Sequence, residues 1–281
     1  MGEARADPRE LALLVRREGW QVAVHDYLRA RDPASYRYAT DPQVATWRLL
    51  VSLPEQPKVL LLHPGIGVAP FLLAQDGAVV SCACGQAAES DYILARASQQ
   101  GLGQVRAYTW DGERSLPEDD GEFDLVAAGL HGPPLRGPRP FLRQAAVLRE
   151  SRRLLRPGGE LFLAGANAAH PQHFGRGLSL GGCRRAMERE GFRSLRFYGL
   201  LPSHWQPFFI IPLGTMGGLQ HCLNRLARGY DFSEALRPAA WALWRTAAGP
   251  ALSALGALRL TSAMRWAMPA YGAIGRQGEA T

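Results

Sequence analysis

Lysine is almost missing from this chain: of its 32 basic residues, all but Lys58 are arginine. The skew fits a GC-rich genome and specifies no activity. Cysteine is scarce too. The four present, Cys82, Cys84, Cys183 and Cys222, form no CxxC pair and no Cys/His group at zinc spacing. Neither a metal site nor a disulfide framework is expected, and a reducing cytoplasm is the expected location. The N-terminal stretch mixes acids and arginines where a secretory signal would need an apolar core, so no export is expected. The longest uncharged run, Phe197 to Asn224, is broken by Pro202, Pro207, Pro212 and four glycines, which excludes a membrane-spanning helix there. No repeat of solenoid or propeller period is present.

What remains is apolar material for a sizeable core. The chain has 281 residues, 47% hydrophobic and 20% charged, which suits one embellished domain or two small ones. Residues 8 to 31 place Leu11, Leu13, Leu14, Val15, Trp20, Val22, Val24 and Leu28 among charges at roughly helical spacing, and Asp41 to Leu53 reads as a second helix. From Lys58 the texture changes to short apolar runs, KVLLL, AVVSCAC, VRAYTW, FDLVAAGL, LFLAGA and FRSLRFYGL. Helical patterns separate them, among them 87–100, 139–155 and 180–189. Strands alternating with helices predict parallel crossovers and a doubly wound sheet. The organisation expected is a helical segment over 1–57, an α/β core over 58–205, a helical insertion or cap over 206–269, and a last strand with tail over 270–281.

The first expected strand ends in His63-Pro64-Gly65-Ile66-Gly67, a turn whose backbone can approach a ligand closely. A dinucleotide fingerprint would need glycine or alanine where Pro70 stands, and no acid closes the second strand, so an NAD site is not expected. His131, in GLHGPP after the fourth strand, lies at the carboxyl edge where open parallel sheets bind ligands. A neutral imidazole there suits general base work, which makes His131 the candidate catalytic residue. Trp205, Phe208 and Phe209 are candidates to line an apolar pocket. Gly177 to Gly181 imitates the GxSxG nucleophile elbow, but the preceding AHPQHFGR has little strand character. Ser179 reads instead as the N-cap of a helix starting at Leu180.

From Lys58 to Leu201 the order of pieces resembles class I S-adenosylmethionine-dependent methyltransferases. Val59 to Gly67 stands where that family reads V-L-(D/E)-x-G-x-G-x-G, keeping Gly65 and Gly67 but placing Leu61 at the acid and His63 at the first glycine. TWDGERSLPEDDGEFDLVAAGL is similar to the run that begins with the family's adenine-facing acid, here Asp111. LRESRRLLRPGGELFLAG carries the most specific match, the Pro157-Gly158-Gly159 turn into strand five, and LSLGGCRRAMEREGFRSLRFYG is similar to the helix and GF turn before strand six. Where the family's second strand ends in a ribose-binding acid, this chain has Ala83, Cys84, Gly85 and Gln86.

The resemblance implies an α/β, Rossmann-like, doubly wound and mostly parallel seven-stranded sheet, with an N-terminal helical preface and a C-terminal helical insertion. It implies S-adenosylmethionine as cofactor, with His63, Gly65, Gly67, Cys84 and Asp111 around it and no metal. The acceptor implied is a small hydroxyl- or amine-bearing metabolite or glycan intermediate. The alternative is a chain that keeps the fold without methyl transfer, as a scaffold or subunit, or with another reaction in the same pocket.

Net charge is +7, and its location matters more than its size. Residues 235–278 hold five arginines and no acid, so this stretch of 44 carries +5 and the other 237 residues only +2. Apolar residues on every side of that stretch leave it either buried against the sheet or seated on a partner or membrane surface, and its charge makes docking on an anionic membrane or a partner subunit the expectation. Nucleic-acid binding is not expected, because no aromatic interleaving or recognition module accompanies the arginines.

Overall fold

Two aspartates start the first helices of the computed structural model, which describes residues 6–129, 132, 144–173, 177–213 and 268–278. Asp7 accepts from the Arg9 amide at 2.9 Å and caps α1 (Pro8–Glu18), with Pro8 in its first turn. The helix expected to reach residue 31 stops at Gly19, whose φ of 95° suits only glycine. A wide π-helical turn, Val22–Leu28, then runs into α2 (Arg29–Arg31). Asp32 caps α3 (Pro33–Thr40), a helix the apolar spacing does not announce; its carboxylate accepts from the Ser35 amide at 3.0 Å and the Ser35 hydroxyl at 2.7 Å. The helix expected over 41–53 is a 3₁₀ segment, Pro42–Leu50, kinked at Ala45.

Among the described residues the sheet has eight strands: β1 (Lys58–Leu62), β2 (Val79–Cys84), β3 (Val105–Thr109), β4 (Phe123–Ala128), β5 (Leu155–Ala166), β6 (Phe192–Pro202), β7 (Pro207–Pro212) and β8 (Ala270–Gln277). Their order is β3-β2-β1-β4-β5-β8-β6-β7. The first five are parallel, and β8 inserts antiparallel between β5 and β6. The expected count of seven is therefore one short. The extra strand is β7, PFFIIP, which pairs antiparallel with β6 at the sheet edge inside the segment expected to be helical. Aromatic and β-branched residues favour a strand there, and an edge tolerates the missing proline donors. The crossovers are α4 (Ala69–Gln75), α5 (Ala87–Gln99), α6 (Gln144–Leu154) and α7 (Leu180–Arg189). Ser179 Oγ accepts from the Gly182 amide at 3.1 Å, the cap expected of it. Four expectations lie outside the described residues: the start of the 139–155 helix, His131, Cys222, and the insertion and basic stretch over 214–267.

Along β1, Val59 and Leu61 join one core while Leu60 and Leu62 join another, the period-2 alternation of a sheet covered on both faces. The first core lies under the N-terminal preface, α4 and α5; the second lies under α6 and α7. Trp47 of the preface stacks on Phe162 of β5 at 4.7 Å between centroids and 12° between planes. Glu160 on β5 accepts from the Ser52 amide at 3.2 Å and from Arg196 of β6 at 2.9 Å, with Arg276 of β8 at 3.6 Å. One buried carboxylate thus joins the preface to three strands. Pro157-Gly158-Gly159 forms a bulge, since five residues of β5 advance from Leu155 to Glu160 while β4 advances two from Phe123 to Leu125. No helix among the described residues is long and apolar enough to cross a membrane.

Removing the stacked indole tests how the preface is held. Trp47→Ala is expected to cost about 3–5 kcal/mol in denaturant unfolding. Leu49→Ser, at a side chain 73% exposed two residues away, should stay within about 0.5 kcal/mol of the parent. Equal losses would show that the stack is not what secures the segment.

Candidate active site

The order β2-β1-β4-β5 reverses winding direction between β1 and β4, and ligands of open α/β sheets bind in the crevice beyond the strand ends at such a point. The loop after β1 forms one wall. His63 adopts φ 52°, a left-handed conformation that glycine enters at little cost. Its amide donates to the Ala83 carbonyl at 2.7 Å. Its Nε2 lies 3.1 Å from the Trp110 carbonyl, so that nitrogen is the one that donates. The imidazole also meets the Trp110 indole edge-on at 5.9 Å. His63 therefore braces the ends of β1 and β2 against the segment after β3. Gly65, with φ 59°, turns the loop back toward α4.

Gly67 is small for a reason the motif does not suggest. A Cβ there would sit 2.8 Å from the ring of Tyr38, and one on Gly132, beyond β4, would sit 2.3 Å from the same ring. Tyr38 comes from α3, where no site residue was expected. Its hydroxyl donates to the Pro64 carbonyl at 2.8 Å, and its own carbonyl accepts from the Val68 amide at 3.1 Å. The phenol is thus wedged between the loops after β1 and β4. Beside it is a hollow of about 10 Å³, one water's worth, bordered by Trp47, Gly67, His204 and Trp205. Trp205 meets Tyr38 edge-on at 6.4 Å.

At the end of β2 the Cys84 thiol is buried, 3.8 Å from the Cys82 carbonyl, and burial pushes it well above its ordinary pKa. It is no substitute for a carboxylate. The nearest acid is Glu89, buried one turn into α5, whose Oε2 accepts from the Gly85 amide at 3.2 Å. That is the reach-back of a third-position glutamate to the residues before a helix. Between them, Gln86 has a buried Nε2 without a hydrogen-bond partner. Asp111 is exposed and curls into its own turn, accepting from the amides of Glu113 at 2.9 Å and Arg114 at 3.2 Å. Those two bonds hold its carboxyl below the usual range. The Trp110 amide donates to the Cys84 carbonyl at 2.8 Å, which brings the approach to Asp111 alongside β2. The fold therefore gathers His63, Gly65, Gly67 and Cys84 at neighbouring strand ends, with Asp111 at the rim.

No family model and no curated protein sequence matches the chain. Solved structures do. The [4+2]-cyclase SpnF is 17% identical, over 85% of this chain and 81% of that one, with a TM-score of 0.53. Phosphoethanolamine N-methyltransferase 2 of Haemonchus contortus, in complex with S-adenosyl-L-methionine, is 13% identical over 99% of this chain and 62% of its own, with a TM-score of 0.54. Geranyl diphosphate C-methyltransferase of Streptomyces coelicolor A3(2), in complex with Mg²⁺, geranyl diphosphate and S-adenosyl-L-homocysteine, is 12% identical over 100% and 91%, with a TM-score of 0.50. These likenesses show the Rossmann-like methyltransferase fold, reached by a divergent sequence.

Two measurements probe this site. Gly67→Ala should destabilise by about 1–3 kcal/mol through contact with the Tyr38 ring, and combining it with Tyr38→Ala should recover part of that loss. Strict additivity in a thermal-unfolding cycle would contradict the contact. Cys82, Cys84 and Cys183 are all buried with raised thiol pKa values. In the native chain at pH 8 they should resist a thiol-specific reagent and react only on unfolding.

Proposed function

We propose that the chain is an S-adenosylmethionine-dependent methyltransferase acting on a small hydroxyl- or amine-bearing metabolite or glycan intermediate. The observation that carries this reading is the switch-point crevice beyond β1 and β4, with the Gly65–Gly67 turn forming one wall of it. Gln86, just beyond β2, stands near where the family's ribose-binding carboxylate would be. The Gly65–Gly67 turn lets the loop backbone come close, and His63 keeps that loop in shape from beneath. Bound, the cofactor supplies an electrophilic methyl group on a sulfonium.

What the chain adds is chiefly proximity and orientation, which such a transfer needs most. Tyr38, His204 and Trp205 wall the crevice and exclude water on the acceptor side. His131, one residue before Gly132, takes the proton from a hydroxyl or amine acceptor, an assignment that rests on its place after β4.

One observation favours the other reading, a fold that has given up methyl transfer: Cys84 ends β2 without an acid and Asp111 spends its carboxylate in its own turn. SpnF, by its description a cyclase, is a neighbour in fold that carries a different reaction name.

Calorimetric titration separates the two. Saturable binding of S-adenosylmethionine is expected, and no heat at millimolar cofactor would reject the methyltransferase. With an accepted substrate, His131→Ala should lower turnover by about 10²–10⁴ while leaving cofactor affinity unchanged. Unchanged turnover would remove the base assignment.

A further inference from the structure

Arg96 on α5 is 3% exposed, and no carboxylate among the described residues pairs with it. Its guanidinium lies 4.6 Å from the centre of the Trp20 ring and 4.2 Å from that of Phe71. Its Nη1 donates to the Ala39 carbonyl at 2.8 Å and contacts the Tyr92 hydroxyl at 2.8 Å, while Nε has no partner. Burying a cation without a counter-ion is costly, and the two aromatic faces offset only part of that cost. Apolar residues of similar volume are often no less stable in such places, so stability alone is a weak account of an arginine here.

Its one bond to the preface falls on Ala39, the residue after Tyr38. From there the connections run straight to the crevice: the Tyr38 carbonyl takes the Val68 amide, the Tyr38 hydroxyl reaches Pro64, and the ring covers Gly67 and Gly132. Attachment of the preface does not depend on Arg96 alone. Gln99, one turn further along α5, donates to the Val15 carbonyl and accepts from the Trp20 amide, each at 2.7 Å.

We infer that Arg96 is a positioning residue for the crevice: by fixing the end of α3 it seats Tyr38 between the loops after β1 and β4, and so holds the loop 63–68 in its binding shape. The inference rests on the methyltransferase reading only for the identity of the ligand.

Amide hydrogen exchange on the ligand-free full chain tests it. In Arg96→Met, exchange at Gly67 and Val68 should rise about tenfold or more relative to amides of β1 and β2, the signature of local opening. Arg96→Lys keeps the charge but loses the fork; it should show the same selective rise to a smaller degree, and it carries the comparison should Arg96→Met not fold. A uniform rise over loop and strands, or none at Val68, would overturn the inference and leave Arg96 a plain anchor. Calorimetry adds the functional half: S-adenosylmethionine affinity should fall about tenfold in Arg96→Met and in Tyr38→Phe, and little further in the double variant. Additive losses would show that Arg96 does not act through Tyr38. If the parent chain binds no S-adenosylmethionine, the methyltransferase reading falls and the exchange pattern alone decides the role of Arg96.

Discussion

A buried guanidinium between two aromatic rings holds the end of α3, and the loops at the carboxyl edge of the sheet meet Tyr38 next to that point. Trp20 and Ala39 come from the preface, Phe71 from α4, and Arg96 and Tyr92 from α5, so one side chain joins three segments on the same face of the sheet. Trp47 on Phe162 and Glu160 beneath Ser52 secure the same segment further along the sheet. The preface is therefore a wall of the candidate site as much as a cover for the core. Without it the loop after β1 would lose its contacts to Tyr38.

Most of the sheet was legible in the sequence because β1, β2, β4 and β5 are apolar runs bounded by turns, which a strand buried on both faces requires. Ser179 was legible for a local reason, a side chain bonding an amide three residues on. The helix α3 is not legible from periodicity, because its apolar spacing is weak, although Asp32, Pro33 and Ser35 spell a cap. Strand β7 was missed because prolines read as breakers, whereas Pro207 and Pro212 merely bracket it at an edge.

The candidate site was half legible. Position along the chain identified the strand ends, and the fold does bring His63, Gly65, Gly67 and Cys84 together there. Partners were not readable, because they are tertiary: the Tyr38 hydroxyl meets Pro64 across 26 residues and the His63 imidazole meets the Trp110 carbonyl across 47. The phenol of Tyr38 packed against Gly67 is likewise a tertiary neighbour that the motif does not announce. Gln86 reads in the sequence only as the lack of an acid, because the burial of its side-chain nitrogen and the bond from the Gly85 amide to Glu89 exist only in the folded chain.

The place of β8 bears on the order in which the chain can assemble during synthesis. Strands β1 to β5 are contiguous in the sheet and emerge first, so a parallel half can pair as it is made. β5 and β6, by contrast, meet only through β8, the last of the described strands in chain order. Until β8 has been made, each of those two strands lacks its neighbour on that side, and among the described strands β6 pairs only with β7. Incomplete chains thus expose two strand edges that the finished protein covers, the kind of surface on which nascent chains associate wrongly.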